Sequence, residues 1–135
     1  MNTEILKGRK ILIVEDDFSS RLYLNKILEK SGAVLLNAVD GHEAIDIVNA
    51  HPDLDIILMD IQLPVMDGYI ATAKIREIRK DIIIVAQTAY GLYADKLRIS
   101  QSGFNDYIIK PILSNILVEK LNRLISRNSH QSGNA

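Results

Sequence analysis

"DIILMDIQLPVMDG" (residues 55–68) places an acid at the end of an apolar run. Asp60 follows Ile56, Ile57, Leu58 and Met59. A short apolar run bounded by turn signals reads as a strand buried on both faces. A carboxylate at the end of such a strand is costly unless something pairs with it. Pro64 then opens a loop, and Asp67 stands where the N-cap of a following helix belongs. The unit is strand, loop, helix.

The same unit recurs on either side. Upstream, "KILIV" (10–14) reads as a strand, and "FSSRLYLNKILEKSG" (18–32) as a helix with Leu24, Ile27 and Leu28 on one face and Gly32 as its stop. "VLLNA" (34–38) is a second strand. "DGHEAIDIVNAHP" (40–52) starts with Asp40 and has Glu43 three residues on, the spacing of a capping box, and its helix ends before Pro52. The quoted stretch supplies the third strand (55–59) and a helix with Ala71, Ile75 and Ile78 on one side. Downstream, "IIIVA" (82–86) is almost wholly β-branched and reads as the fourth strand. "YGLYADKLRISQSG" (90–103) is the weakest helix, with only Leu92, Tyr93 and Leu97 as an apolar stripe. "DYII" (106–109) is the fifth strand. "ILSNILVEKLNRLI" (112–125) is the last helix, with Leu113, Leu117, Leu121 and Leu124 on one face.

This (βα)5 pattern predicts a single α/β domain, a parallel sheet covered by helices on both faces. The expected organisation is a lead-in at 1–9, the domain at 10–125 and a polar, disordered tail at 126–135. The 135 residues carry a net charge of −1, so no broad surface attracts nucleic acid or anionic lipid. Hydrophobic residues make up 47% of the chain, yet the apolar runs stop at strand length, and no membrane insertion is expected. With no cysteine, disulfides and thiolate metal sites are excluded. No apolar signal-peptide core opens the chain, so a cytoplasmic location is expected.

In a parallel sheet the strand C-termini share one rim, and ligands bind there. Glu15, Asp16 and Asp17 follow the first strand, Asp60 the third, Gln87 and Thr88 the fourth, Lys110 and Pro111 the fifth. Crowded carboxylates repel and raise one another's pKa values unless a cation joins them. An oxygen-only ligand set suits Mg²⁺, whereas the scattered His42, His51 and His130 do not suit Zn²⁺. A carboxylate beside Mg²⁺ is able to attack a phosphoryl group and form an aspartyl phosphate. Lys110 and Thr88 would then bind phosphoryl oxygens.

"ILIVEDD", "MDIQLPVMDG", "QTA" and "DYIIKP", in this order from Lys10 to Ile125, together resemble the receiver domain of two-component response regulators. The resemblance implies a flavodoxin-like strand order, 2-1-3-4-5. It implies that Asp60 is the phosphoacceptor and that Mg²⁺ (or Mn²⁺) is held by Asp16, Asp60, Glu15 through water, and the backbone carbonyl of Gln62. It makes Thr88 and Tyr107 the switch pair and Lys110 the cationic partner, with a cis peptide at Lys110–Pro111. Gln62 and Tyr90, two residues beyond Asp60 and Thr88, would tune the lifetime of the phosphoryl group. Implied partners are a histidine kinase or histidine phosphotransfer protein, and a downstream protein target or kinase domain. The protein would be a phosphorylation switch rather than an enzyme in the usual sense.

Each residue also has a plain structural reading. Asp60 suits a strand-end turn, and Glu15 and Asp16 suit a helix N-terminus. Asp17 suits an N-cap, Thr88 a loop bond and Tyr107 half-buried packing. What weighs against these is convergence on one rim. An alternative function is an aspartyl-nucleophile phosphatase of haloacid-dehalogenase type, but Gln62 stands where the second acid belongs. A flavin mononucleotide carrier needs a Ser-, Thr- and Gly-rich phosphate loop, and "EDDFSS" would repel phosphate. "DIQLPVMDG" resembles receivers of hybrid histidine kinases, with Leu63 in place of the usual methionine. A stand-alone regulator and a piece of a hybrid kinase both fit. Phe104 stands where the family usually has a small residue.

Overall fold

The computed structural model describes residues 4–89 and 93–133. Among these, strands β1 (Lys10–Val14), β2 (Val34–Ala38), β3 (Ile56–Asp60), β4 (Ile83–Thr88) and β5 (Asp106–Ile109) form one parallel sheet. The strand order is β2-β1-β3-β4-β5, as expected. Helices α1 (Phe18–Lys30), α2 (Gly41–Ala50), α3 (Gly68–Ile78), α4 (Tyr93–Gln101) and α5 (Ser114–Gly133) alternate with the strands.

The apolar strands divide their side chains between two cores because successive residues face opposite ways. Ile11, Ile13, Ile56, Leu58, Ile83 and Val85 pack with Leu24 and Leu28 of α1 and Leu117 and Leu121 of α5. Leu12, Val14, Ile57, Met59, Ile84 and Ala86 pack with residues of α2, α3 and α4 on the other face. The helices start where the sequence places their caps. Asp17, Asp40 and Asp67 each accept a hydrogen bond from a backbone N–H of the first turn, those of Ser20, Glu43 and Ile70. Glu43 reaches back to the Val39 N–H at 3.0 Å, one residue earlier than a strict capping box requires.

Several boundaries differ from expectation. β3 takes in Asp60 and β4 takes in Gln87 and Thr88, because Asp60 pairs with Gln87 and Thr88 pairs with Ile109 across the ladder. The site residues are therefore strand ends rather than loop residues. Among the described side chains of α4, Ile99 enters the core and Leu97 faces solvent; the Tyr93 side chain lies outside the described residues. Leu92 lies outside the described residues. α5 starts at Ser114 and runs to Gly133, through the segment expected to be disordered. Once Leu117, Leu121 and Ile125 anchor the helix, each further residue adds a hydrogen bond without a new nucleation cost. The lead-in also belongs to the fold. Leu6 is buried in the α1–α5 core, and its N–H donates to Ser31 O at 2.9 Å.

Candidate functional site

β2 lies to one side of β1 and β3 to the other, so connections diverge at the C-terminal ends of β1 and β3 and leave a crevice between them. Glu15 follows β1 directly, with its backbone N–H bonded to Ala38 O at 3.0 Å. Asp60 closes β3. One carboxylate oxygen from each of Glu15, Asp16 and Asp60 lies within 4.8 Å of the others. Asp60 is 4% exposed and Glu15 1%, whereas Asp16 faces solvent.

Lys110 joins this cluster from β5. Its Nζ donates to Asp60 Oδ2 at 3.0 Å and to Glu15 Oε1 at 3.3 Å. Its backbone N–H donates to Thr88 O at 2.8 Å, which ties the lysine to the end of β4. The Lys110–Pro111 peptide is cis, as the resemblance implied. The Gln62 N–H donates to Asp60 Oδ1 at 3.0 Å, fixing the second carboxylate oxygen.

One ammonium does not neutralise three carboxylates. Burial, a hydrogen bond with Asp60 and the Asp60 charge push the Glu15 pKa up to about 7. Burial works to lower the Lys110 pKa, but hydrogen bonds and charges from Asp60 and Glu15 outweigh it, so the net shift is upward. A divalent cation suits this donor set: three clustered carboxylates, all oxygen, with Asp16 open to solvent.

Thr88 is buried at the end of β4, and Tyr107 on β5 is half-buried. The Tyr107 ring lies under two ammonium groups, Lys96 at 5.8 Å and Lys120 at 5.3 Å from its centroid. Gln62 and Thr88 share a cleft of about 330 Å³ between α3 and α4 with Tyr69, Asp95 and Arg98. Tyr90 lies outside the described residues.

Four residues owe their place to contacts that sequence reading did not supply. Arg21 donates from Nη1 to the carbonyls of Glu15 (2.9 Å) and Asp16 (3.4 Å), pinning the loop that carries both acids. Gly68 has its N–H bonded to Ile61 O at 2.8 Å, and a Cβ there would press on the Asp60 carbonyl and sit 2.8 Å from Ile61 Cα. Gly68 therefore does more than begin α3: the missing side chain lets the helix close on the end of β3, which carries Asp60. Phe104 fills the core beside α3 and meets Tyr69 edge-on, with ring centroids 5.8 Å apart. Gln87 is fully buried beside Lys110 and Glu15 in a cavity of about 290 Å³.

Comparison with known proteins agrees with this architecture. Residues 11–122 match the response regulator receiver domain family. The chain is 38% identical over 131 residues to hybrid signal transduction histidine kinase B of Dictyostelium discoideum, and 35% identical over 127 residues to hybrid kinase I of the same organism. These matches cover 87% and 88% of the chain but 7% of each kinase. Among solved structures, the receiver domain of sensor histidine kinase PA1611 from Pseudomonas aeruginosa PAO1 has a TM-score of 0.82 at 36% identity, covering 88% of this chain and 98% of that one. That structure holds a magnesium ion coordinated in its active site cleft. The Saccharomyces cerevisiae Ssk1 receiver domain, solved with the histidine phosphotransfer protein Ypd1, has a TM-score of 0.79 at 34% identity, covering 85% of this chain and 87% of that one. The chain belongs to the response regulator receiver domain family of two-component signalling. Among the described residues, no helix is long and apolar enough to cross a membrane.

Proposed function

We propose that this receiver accepts a phosphoryl group on Asp60 from the phosphohistidine of a kinase or phosphotransfer protein and works as a phosphorylation switch. The observation that carries the reading is the setting of Asp60. It is a buried strand-end carboxylate with one oxygen bonded to Lys110 and the other to the Gln62 N–H, beside two further acids. An Asp60 oxygen attacks phosphorus, the N–P bond of the donor breaks, and its electron pair returns to the imidazole nitrogen. Held by Asp16, Asp60, the Gln62 carbonyl and, through water, Glu15, a Mg²⁺ or Mn²⁺ ion would offset the charge on the phosphoryl oxygens. Lys110 follows the new charge and binds a phosphoryl oxygen. Thr88 moves towards another, and Tyr107 turns into the space that Thr88 leaves.

The consequence is a changed face formed by α4, β5 and α5, read by a downstream protein or by a kinase domain. Gln62 and Tyr90 set how long the phosphoryl group lasts. We read its place of action as the cytoplasm; a net charge of −1 offers no broad surface to nucleic acid or anionic lipid. A phosphatase reading gains nothing from the geometry, since Gln62 offers Asp60 a backbone N–H and no acid.

The test is incubation with Mg²⁺ and phosphoramidate or acetyl phosphate, followed by mass spectrometry. The expected result is one phosphoryl group on Asp60, absent from Asp60→Asn and absent when the metal is chelated. A folded wild-type protein that takes up no phosphoryl group would overturn the reading.

A further inference from the structure

Gln87 is a buried polar residue that the proposed switch leaves unused, and it lies next to the site. It sits between the two strands that carry the chemistry, paired with Asp60 of β3 on one side and Ile108 of β5 on the other. Its side chain is fully buried. Nε2 donates to Leu58 O at 3.3 Å, and this bond sets which way the amide faces. Oε1 is buried and accepts no hydrogen bond. A buried acceptor left unmade is costly. Gln87 lines the cavity of about 290 Å³ together with Glu15, Lys110, Ser19, Ser20 and Tyr23. The Tyr23 hydroxyl is committed to Ile112 O at 2.6 Å. Lys110 is the strongest donor in that wall: an ammonium has three N–H groups, and two acceptors are found for them.

The lysine's two acceptors are the carboxylates that a divalent cation would claim. Lys110 is partly exposed, so an ammonium displaced from them has solvent on one side, but on the side of this cavity it needs a new acceptor. We propose that Gln87 is a positioning residue for Lys110. Its Oε1 accepts a hydrogen bond from the Lys110 ammonium when Asp60 and Glu15 turn to the metal, and so keeps the lysine beside Asp60 for the incoming phosphoryl group. The amide is suited to this because it is neutral: a carboxylate there would add a fourth acid to the cluster, and an apolar side chain would offer nothing. The inference rests on the proposed metal site.

The test is Mg²⁺ affinity by calorimetry in the wild type, Gln87→Met, Lys110→Ala and the double variant. Gln87→Met should weaken Mg²⁺ binding by about tenfold, as expected for loss of a bond to a charged donor. In the Lys110→Ala background the same substitution should change affinity by less than about twofold. An unchanged affinity in Gln87→Met, or an equal loss without Lys110, overturns the assignment. A wild-type protein that binds no Mg²⁺ overturns the functional reading instead. Should Gln87→Met fail to fold, the wild type alone decides by nuclear magnetic resonance. The Gln87 side-chain carbonyl carbon should shift downfield on adding Mg²⁺, as its oxygen gains a donor, and a resonance that stays in place overturns the proposal.

Discussion

The Lys110 ammonium stands 3.0 Å from Asp60 and 3.3 Å from Glu15, one cation shared by two buried carboxylates. The pairing offsets the repulsion between the two acids. Lys110→Ala removes this ammonium and leaves two acids together in low dielectric. Lys110 is partly exposed, which softens the penalty relative to a fully buried pair. Urea unfolding of the metal-free variant should show a loss of about 1–2 kcal/mol, and saturating Mg²⁺ should return part of it.

Glu15 makes the metal-free protein sensitive to pH. Its pKa stands at about 7 in the fold against 4.5 in the unfolded chain, first because it is buried and then because Asp60 is near. The native state therefore holds the extra proton more tightly. Stability from this group is fully present below the unfolded value and is lost as pH rises through the folded one. Glu15→Gln does not titrate. Relative to wild type, it should gain on the order of 2 kcal/mol between about pH 5 and about pH 8 without metal. Thermal melts at the two pH values check this, and a constant difference between the proteins would refute it.

Gly68 ties the helix that follows the loop to the strand that carries Asp60. A methyl group there meets backbone rather than a side chain able to move aside. Gly68→Ala should cost about 1–3 kcal/mol, as overpacking does, and should slow phosphoryl uptake by shifting the end of β3. Ala33→Gly, at a partly buried position in the α1–β2 turn, serves as the control for uptake.

Much of this was legible in the residues themselves. Buried parallel strands are continuous apolar runs, and helix caps are local, so Ile56–Met59 and Asp17, Asp40 and Asp67 announce their elements without tertiary help. The convergence of Glu15, Asp60 and Lys110 follows from topology, since all strand ends of a parallel sheet share a rim. What escaped depends on contacts between distant segments. Leu6 enters the core because the α1–β2 turn accepts its backbone, a pairing without local periodicity. Ile99 rather than Leu97 faces inward because the α4 stripe is too thin to set its own rotation. Gln87 reads from sequence as a residue following the fourth strand, whereas the ladder places it within β4 between Asp60 and Ile108.

The position of Tyr107 yields the last prediction. Lys120 lies over its ring, donates to the Tyr107 carbonyl at 2.7 Å and pairs with Asp106 at 3.3 Å. These contacts hold Tyr107 in the arrangement seen here, and if the proposed switch turns the ring they favour the starting position. A substitution that removes them shifts the equilibrium towards the alternative, and ligands selecting that alternative bind more tightly by the same factor. Lys120→Met keeps the aliphatic stem and deletes the charge. The cation–ring attraction alone contributes about 0.5–1 kcal/mol, so the gain in affinity should be about two- to fivefold. Titration with beryllofluoride, which imitates a phosphoryl group on a carboxylate, measures it in the presence of Mg²⁺. Unchanged affinity would mean that Lys120 contacts Tyr107 equally in both arrangements, and the lysine would then have no part in the switch.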